Sequence, residues 1–186
     1  KFIVEFYNSD FEVETKADES PVTIADKTAD KIISDYLKTH YPEYGFLTEE
    51  STDDLSRLEK DLVWIVDPID GTQEFITKNN EFNTNIALSY KGDIVVGVIY
   101  IPLTGEYYFA VKDSGAYYFN GIETVQIHVS NKTRDLTCLT SRCHANEKEE
   151  KVISDSKDII GKCVKVGAAL KACLIARGDA EIAYRI

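Results

Sequence analysis

Methionine is absent from the chain, even at its first position, and the last residues, Tyr184-Arg185-Ile186, form neither a turn nor a polar tail. The expectation is therefore a piece of a longer protein. Long apolar runs are missing too: none approaches the roughly 18–20 residues that cross a bilayer. Glu5, Asp10, Glu12 and Glu14 interrupt any reading of the start as a secretory signal. Cysteine is scarce, with four residues, no Cys-x-x-Cys pair, and all of them in the last third. That excludes a disulfide framework in a chain this large and apolar, and points to free thiols in a reducing, cytoplasmic compartment. Cys143-His144 resembles half a metal site, but no second Cys/His pair completes it. Basic residues are outnumbered, 21 Lys and Arg against 32 Asp and Glu, for a formal net charge of -11. A general binder of polymeric nucleic acid needs the opposite balance. An acidic protein can still take a phosphate ester if divalent cations sit between the two negative groups. Acidity that merely aids solubility explains the same count.

The chain has 186 residues, 44% of them hydrophobic and 28% charged, enough for one substantial soluble domain or one plus part of another. Residues 21–39 carry a helix signature. Thr23 is placed as an N-cap with Asp26 three residues on, and Ala25, Ala29, Ile32, Ile33, Tyr36 and Leu37 recur on one face. Pro42 and Gly45 end it, and Phe46-Leu47 leads, extended, into Thr48-Glu49-Glu50. Leu62–Val66 is a short continuous apolar run, the pattern of a strand buried on both faces. Strands are then expected at 85–90, 94–101, 106–111 and 116–119, separated by turn signals, as an antiparallel meander. Short strands at 125–129, 136–140 and 163–166 alternate with helical stretches near 146–157 and 168–177. This change of pattern places a boundary near Glu123: an α+β metal-binding domain over 1–123 and the start of an α/β domain over 124–186.

The chemistry concentrates at Asp67-Pro68-Ile69-Asp70-Gly71-Thr72. Two carboxylates three residues apart across a rigid proline can turn toward one point, with the Ile69 carbonyl between them. Oxygen donors of this kind suit a hard cation such as Mg²⁺. Gly71 lets backbone approach a ligand, and a helix starting near Thr72 would face its free amides to a phosphate. On spacing alone, a tight turn whose aspartates cap the next helix accounts for the segment equally well.

Trp64–Thr72 taken whole resembles the signature of the inositol monophosphatase-like superfamily, and Thr48-Glu49-Glu50-Ser51 resembles the glutamate motif that precedes it. Gln73-Glu74-Phe75-Ile76 and Glu81–Leu88 are closer to the 3′(2′),5′-bisphosphate nucleotidase branch, where inositol monophosphatases tend to have Thr-Asn-Phe at 73–75. Lys16–Asp26, Thr140–Ala145 and Gly167–Lys171 resemble further motifs of that branch. The resemblance implies metal ligands at Glu49, Asp67, the Ile69 carbonyl and Asp70. It implies a pair, Asp26 and Thr72, that orients and activates the attacking water, with phosphate on the Gly71 and Thr72 amides and His144 and Lys171 on the substrate side. Each has a bland counterpart: Asp26 suits the first turn of any helix, and Lys171 suits any helix surface.

The implied activity is Mg²⁺-dependent hydrolysis of a small phosphate ester, adenosine 3′,5′-bisphosphate first, with inositol or sugar phosphates as the alternative. A catalytically silent metal- or nucleotide-binding module is the alternative of another class; Asp26, Glu49, Asp67, Asp70 and Thr72 together argue against it. The implied fold is α/β (α+β), a layered αβαβα sandwich whose C-terminal part is missing. The family's further aspartate, in a Trp-Asp motif, lies beyond the segment matching Ala180–Ile186. Ala168-Ala169 stand where the branch has two serines, which removes two hydroxyls that could bind substrate. Members often pair as homodimers, though no residue pattern here marks an interface.

Overall fold

The computed structural model describes residues 1–15, 21–142 and 146–184. Lys16–Ser20 of the N-terminal motif, together with Cys143, His144, Ala145, Arg185 and Ile186, lie outside the described residues. The chain runs α1 (Phe2–Tyr7), β1 (Val13–Thr15), β2 (Pro21–Thr23), α2 (Ile24–His40), β3 (Gly45–Thr48), β4 (Leu62–Asp70) and α3 (Thr72–Ile76). It continues with β5 (Asn83–Tyr90), β6 (Asp93–Ile101), β7 (Glu106–Val111), β8 (Gly115–Phe119) and β9 (Thr124–Ile127). Last come β10 (Leu136–Ser141), α4 (Glu147–Asp155), β11 (Ile160–Val166), α5 (Leu170–Arg177) and β12 (Ile182–Ala183).

Strands β3 to β9 form a seven-stranded sheet in sequence order. β3 and β4 are parallel, and the pairs from β4 to β9 are antiparallel, with β5 to β8 forming the expected meander. The second sheet, β11-β10-β12, is parallel, with α4 in the crossover between β10 and β11. α1 and α2 cover one face of the large sheet near β4. There Tyr7, Ala25, Ala29, Ile69, Phe75 and Phe82 form a core whose rings pack at centroid distances of 4.9 to 5.1 Å. α5 is a middle layer because its two faces are both apolar. Cys173 and Ala176 meet Tyr108 and Ile127 of the large sheet, while Leu170, Leu174 and Ile175 meet Leu139 and Val166 of the small one. The expected layered sandwich is therefore the fold.

α2 begins where its sequence requires. The Thr23 hydroxyl accepts from the Ala25 and Asp26 amides, and the Asp26 carboxylate accepts in return from the Thr23 amide. Such a reciprocal cap satisfies donors that the helix cannot.

Two readings are corrected. β4 does not stop at Val66 but runs to Asp70, because β5 keeps pairing with it through Asn85 and Asn83 and a bulge between Asp67 and Asp70 absorbs Pro68. Leu62–Ile65 are half-buried rather than buried on both faces. An apolar cavity of about 490 Å³ separates the far face, including Ile65 and Ala87, from Ala172 and Cys173 of α5. The strand expected at 125–129 spans Thr124–Ile127 and pairs with β8 at the edge of the large sheet. The three described cysteines are free thiols, and burial pushes Cys138 up to about 11 and Cys173 to about 12. Among the described residues, no helix is long and apolar enough to cross a membrane.

Candidate active site

Four segments converge at the end of β4: the start of α2, the loop after β3, the β4 bulge with α3, and the turn before α5. Parallel pairing of β3 with β4 puts Thr48 beside Val66, and the Glu49 amide donates to the Val66 carbonyl at 3.2 Å. That carries Glu49 to the level of Asp67, and the two carboxyl groups are hydrogen-bonded. Asp67 is mostly withdrawn from water. Burial first, then the negative charges of Glu49 and Asp70, the hydrogen bond with Glu49 and the charge of Asp26, push its carboxyl up to about 8. Its Oδ1 is buried with no hydrogen-bond partner.

Asp70 is placed differently. Its Oδ2 accepts from the Ala169 amide at 2.7 Å, Asn85 Nδ2 at 3.2 Å and Asn83 Nδ2 at 3.3 Å. Asn83 and Asn85 alternate onto one face of β5 opposite the bulge, and Asn83 is fully buried. The Ile69 carbonyl accepts from Thr72 Oγ1 at 3.3 Å. The same hydroxyl donates to Asp26 Oδ1 at 3.2 Å, so α2 and α3 meet there. Asp26 Oδ2 is occupied by the Thr23 amide at 2.8 Å and the Thr23 hydroxyl at 2.5 Å. Burial outweighs these hydrogen bonds and raises the Asp26 carboxyl above the usual range.

Gly71 has φ +89, which an L side chain rarely adopts, and a Cβ there would lie 3.0 Å from Ala168 Cβ and 3.1 Å from the Glu81 carbonyl. α3 starts at Thr72 as expected, so the first amides of that turn have no helical acceptor. Gly167 is equally tight: a Cβ would meet the buried Glu74 side chain at 2.6 Å. Ala168 next to it is held at φ +50. This turn is tied to the large sheet by Glu81, whose Oε2 accepts from the Gly167 amide at 2.7 Å. Arg142 grips both Glu81 oxygens at 2.7 and 2.6 Å. Burial would push Glu81 up, but Arg142 and the Gly167 amide outweigh it and its carboxyl sits below the usual range. Lys171 reaches back to donate to the Val166 and Ala168 carbonyls at 3.1 and 2.9 Å.

The structure thus gathers Asp26, Glu49, Asp67, Ile69, Asp70, Gly71 and Thr72. Lys171 braces the neighbouring turn, and His144 is outside the described residues. Sequence reading missed Asn83, Asn85 and Glu81 as partners; two asparagines at period two in an apolar strand were the available signal.

As the side chains stand, no three His, Cys, Asp or Glu groups among the described residues close on one point as ligands of an ion. Asp67 bonds to Glu49 and Asp70 is turned to amide donors instead. The donor set still suits a hard cation: it is all oxygen, crowded with negative charge, and it includes one buried carboxylate oxygen with no donor of its own.

The sequence pattern of the Inositol monophosphatase family matches residues 2–186. The chain belongs to that family. It is 36% identical over 172 residues to the 3′(2′),5′-bisphosphate nucleotidase CysQ of Escherichia coli K12, covering 92% of this chain and 68% of that protein. CysQ from Bacteroides thetaiotaomicron superposes with a TM-score of 0.83 at 35% identity, over 99% of this chain and 74% of that one. An IMPase/NADP phosphatase complexed with Mg²⁺ and phosphate superposes at 0.78 with 25% identity, over 96% and 67%. The family member is accordingly a phosphatase.

Proposed function

We propose that this protein is a divalent-cation-dependent phosphomonoesterase acting on a nucleoside 3′,5′-bisphosphate, with adenosine 3′,5′-bisphosphate cleaved to AMP and phosphate. The observation that carries the reading is the buried, partnerless oxygen of Asp67 beside Glu49 and Asp70. It lies one bulge away from the Gly71–Thr72 turn. Glu49, Asp67, Asp70 and the Ile69 carbonyl would hold Mg²⁺. Bound there, the cation would neutralise phosphate charge and lower the pKa of water.

The other work falls to this chain's own groups. Thr72 and Asp26 form a hydrogen-bonded pair whose carboxyl burial raises above its ordinary range, which favours its taking a proton. Asp26 Oδ1 would take a proton through that pair while Thr23 keeps Oδ2 in place. The Gly71 and Thr72 amides would receive phosphate oxygens, with Lys171 and His144 on the substrate side. The nucleotide is preferred over inositol phosphate because Gln73-Glu74-Phe75 follows the nucleotidase pattern and the CysQ relatives exceed 30% identity. Inositol or sugar phosphate is the second reading, favoured by Ala168-Ala169, which present methyl groups where a nucleotide enzyme of this branch has hydroxyls.

The deciding measurement is phosphate release from adenosine 3′,5′-bisphosphate and from inositol 1-phosphate, with and without Mg²⁺. Mg²⁺-dependent release favouring the nucleotide is expected, and preference for inositol phosphate would move the function to the second reading. Release unaffected by chelator would remove the metal from the account.

A further inference from the structure

The loop that carries Glu49 is held by more than its strand. After the Glu49 amide bonds to Val66 the chain leaves the sheet, and Ser51 is then tied at two points. Its amide donates to Thr48 Oγ1 at 3.2 Å, and its hydroxyl donates to Asp30 Oδ2 at 2.5 Å. Asp30 sits one helical turn after Asp26 on the same face of α2 and is only 5% exposed. Its Oδ1 is buried with no hydrogen-bond partner. Burying a carboxyl group for a single hydroxyl is unfavourable for folding alone, and nothing in the apolar core around Ala25 and Ala29 needs it.

We propose that Asp30 is a positioning residue for the metal site. α2 sends Asp26 to Thr72 on one side and Asp30 to Ser51 on the other. One rigid helix thereby sets both loops that bring carboxylates to Asp67. Fixing Ser51 by its hydroxyl limits where the Glu49 carboxyl can reach. Groups that orient ligands in this way govern metal affinity although they never touch the ion. The inference rests on the reading of Glu49, Asp67 and Asp70 as metal ligands.

The test is Mn²⁺ binding, followed by electron paramagnetic resonance of the free ion, for the wild type, Ser51→Ala, Asp30→Ala, Asp30→Asn and the Ser51→Ala/Asp30→Ala double variant. Ser51 is at the surface, so its variant keeps the experiment informative if Asp30→Ala folds poorly. Thermal melting without metal checks this. Both single alanine variants should bind Mn²⁺ about tenfold more weakly than the wild type. The double variant should be no weaker than either, since both delete one hydrogen bond. Asp30→Asn keeps an acceptor oxygen and should restore most of the affinity. Unchanged affinity in Ser51→Ala, or additive losses in the double variant, would overturn the proposal. So would Asp30→Asn binding as poorly as Asp30→Ala, because the carboxylate's field would then be acting and not its hydrogen bond. A wild type that binds no Mn²⁺ overturns the metal reading and the positioning role together, whereas wild-type binding with indifferent variants overturns the positioning role alone.

Discussion

The two ends of the β4 bulge carry the same side chain in opposite circumstances. Asp70 is met by three N–H donors on one oxygen, two from β5 and one from the turn before α5. Asp67, three residues earlier, has a buried oxygen with no donor, and its carboxyl is pushed up to about 8 by burial and by the acids around it. The fold therefore stabilises one carboxylate by itself and leaves the other dependent on a positive charge that no described residue supplies. A protein with no use for a cation gains nothing from that asymmetry, because a buried group without a partner costs free energy.

Neutralising each end in turn breaks the comparison most severely. Asp67→Asn and Asp70→Asn should both lower metal-dependent phosphate release at least about a hundredfold, read in steady-state assays at saturating Mg²⁺. Their effects on the metal-free fold should have opposite signs. Asp67→Asn removes a buried acid surrounded by like charges and should raise unfolding free energy at pH 7, on the order of 1–3 kcal/mol. Asp70→Asn weakens charge-assisted hydrogen bonds and should lower it by about 1–2 kcal/mol. Urea titrations of both variants give the two signs, and equal signs would sink the comparison.

A pH series sharpens the same point. The folded Asp67 keeps its proton up to about 8, whereas the unfolded side chain loses it near 3.8. Between those values the folded state holds the extra proton, so raising the pH favours unfolding. The thermal midpoint of the metal-free wild type should fall as pH rises from 5 to 8. Asp67→Asn should flatten that slope.

The smallest effect is expected at the clamp beside Asp70. Arg142→Ala frees Glu81 from its guanidinium but leaves the Gly167 amide in place. This half-exposed pair should be worth about 1 kcal/mol or less. A larger loss in urea would mean that the clamp, and not the three amide donors, holds the Asp70 end.

Much of this was legible in the chain itself. The Thr23–Asp26 cap, the start of α3 at Thr72 and the meander from β5 to β8 follow from local propensity and turn chemistry, which act over a few residues. The motif around Asp67 pointed to the family without any structure. The length of β4 was not legible, because its last residues contain a proline and two aspartates that no strand propensity favours; pairing with β5 overrides them. Nor was the burial of Leu62–Ile65, since an apolar run looks the same whether it faces a helix or a cavity. The pairing of β9 was not legible either: it was read with the segments after it but joins β8 just before it, and a run this short carries no mark of which side it joins.

What the sequence determined alone is therefore the inventory: an oxygen-donor set, a glycine at a positive-φ turn, and helices and strands in order. What only the tertiary structure decided is the inequality among like residues. Asp26, Asp30, Asp67 and Asp70 are identical in composition, and their separate roles arise from which donors the packing of α2, β5 and the turn before α5 brings within about 3 Å of each oxygen. Hydrogen bonding and desolvation act over such short distances, between groups as many as 99 residues apart in the chain. No local pattern can carry that information.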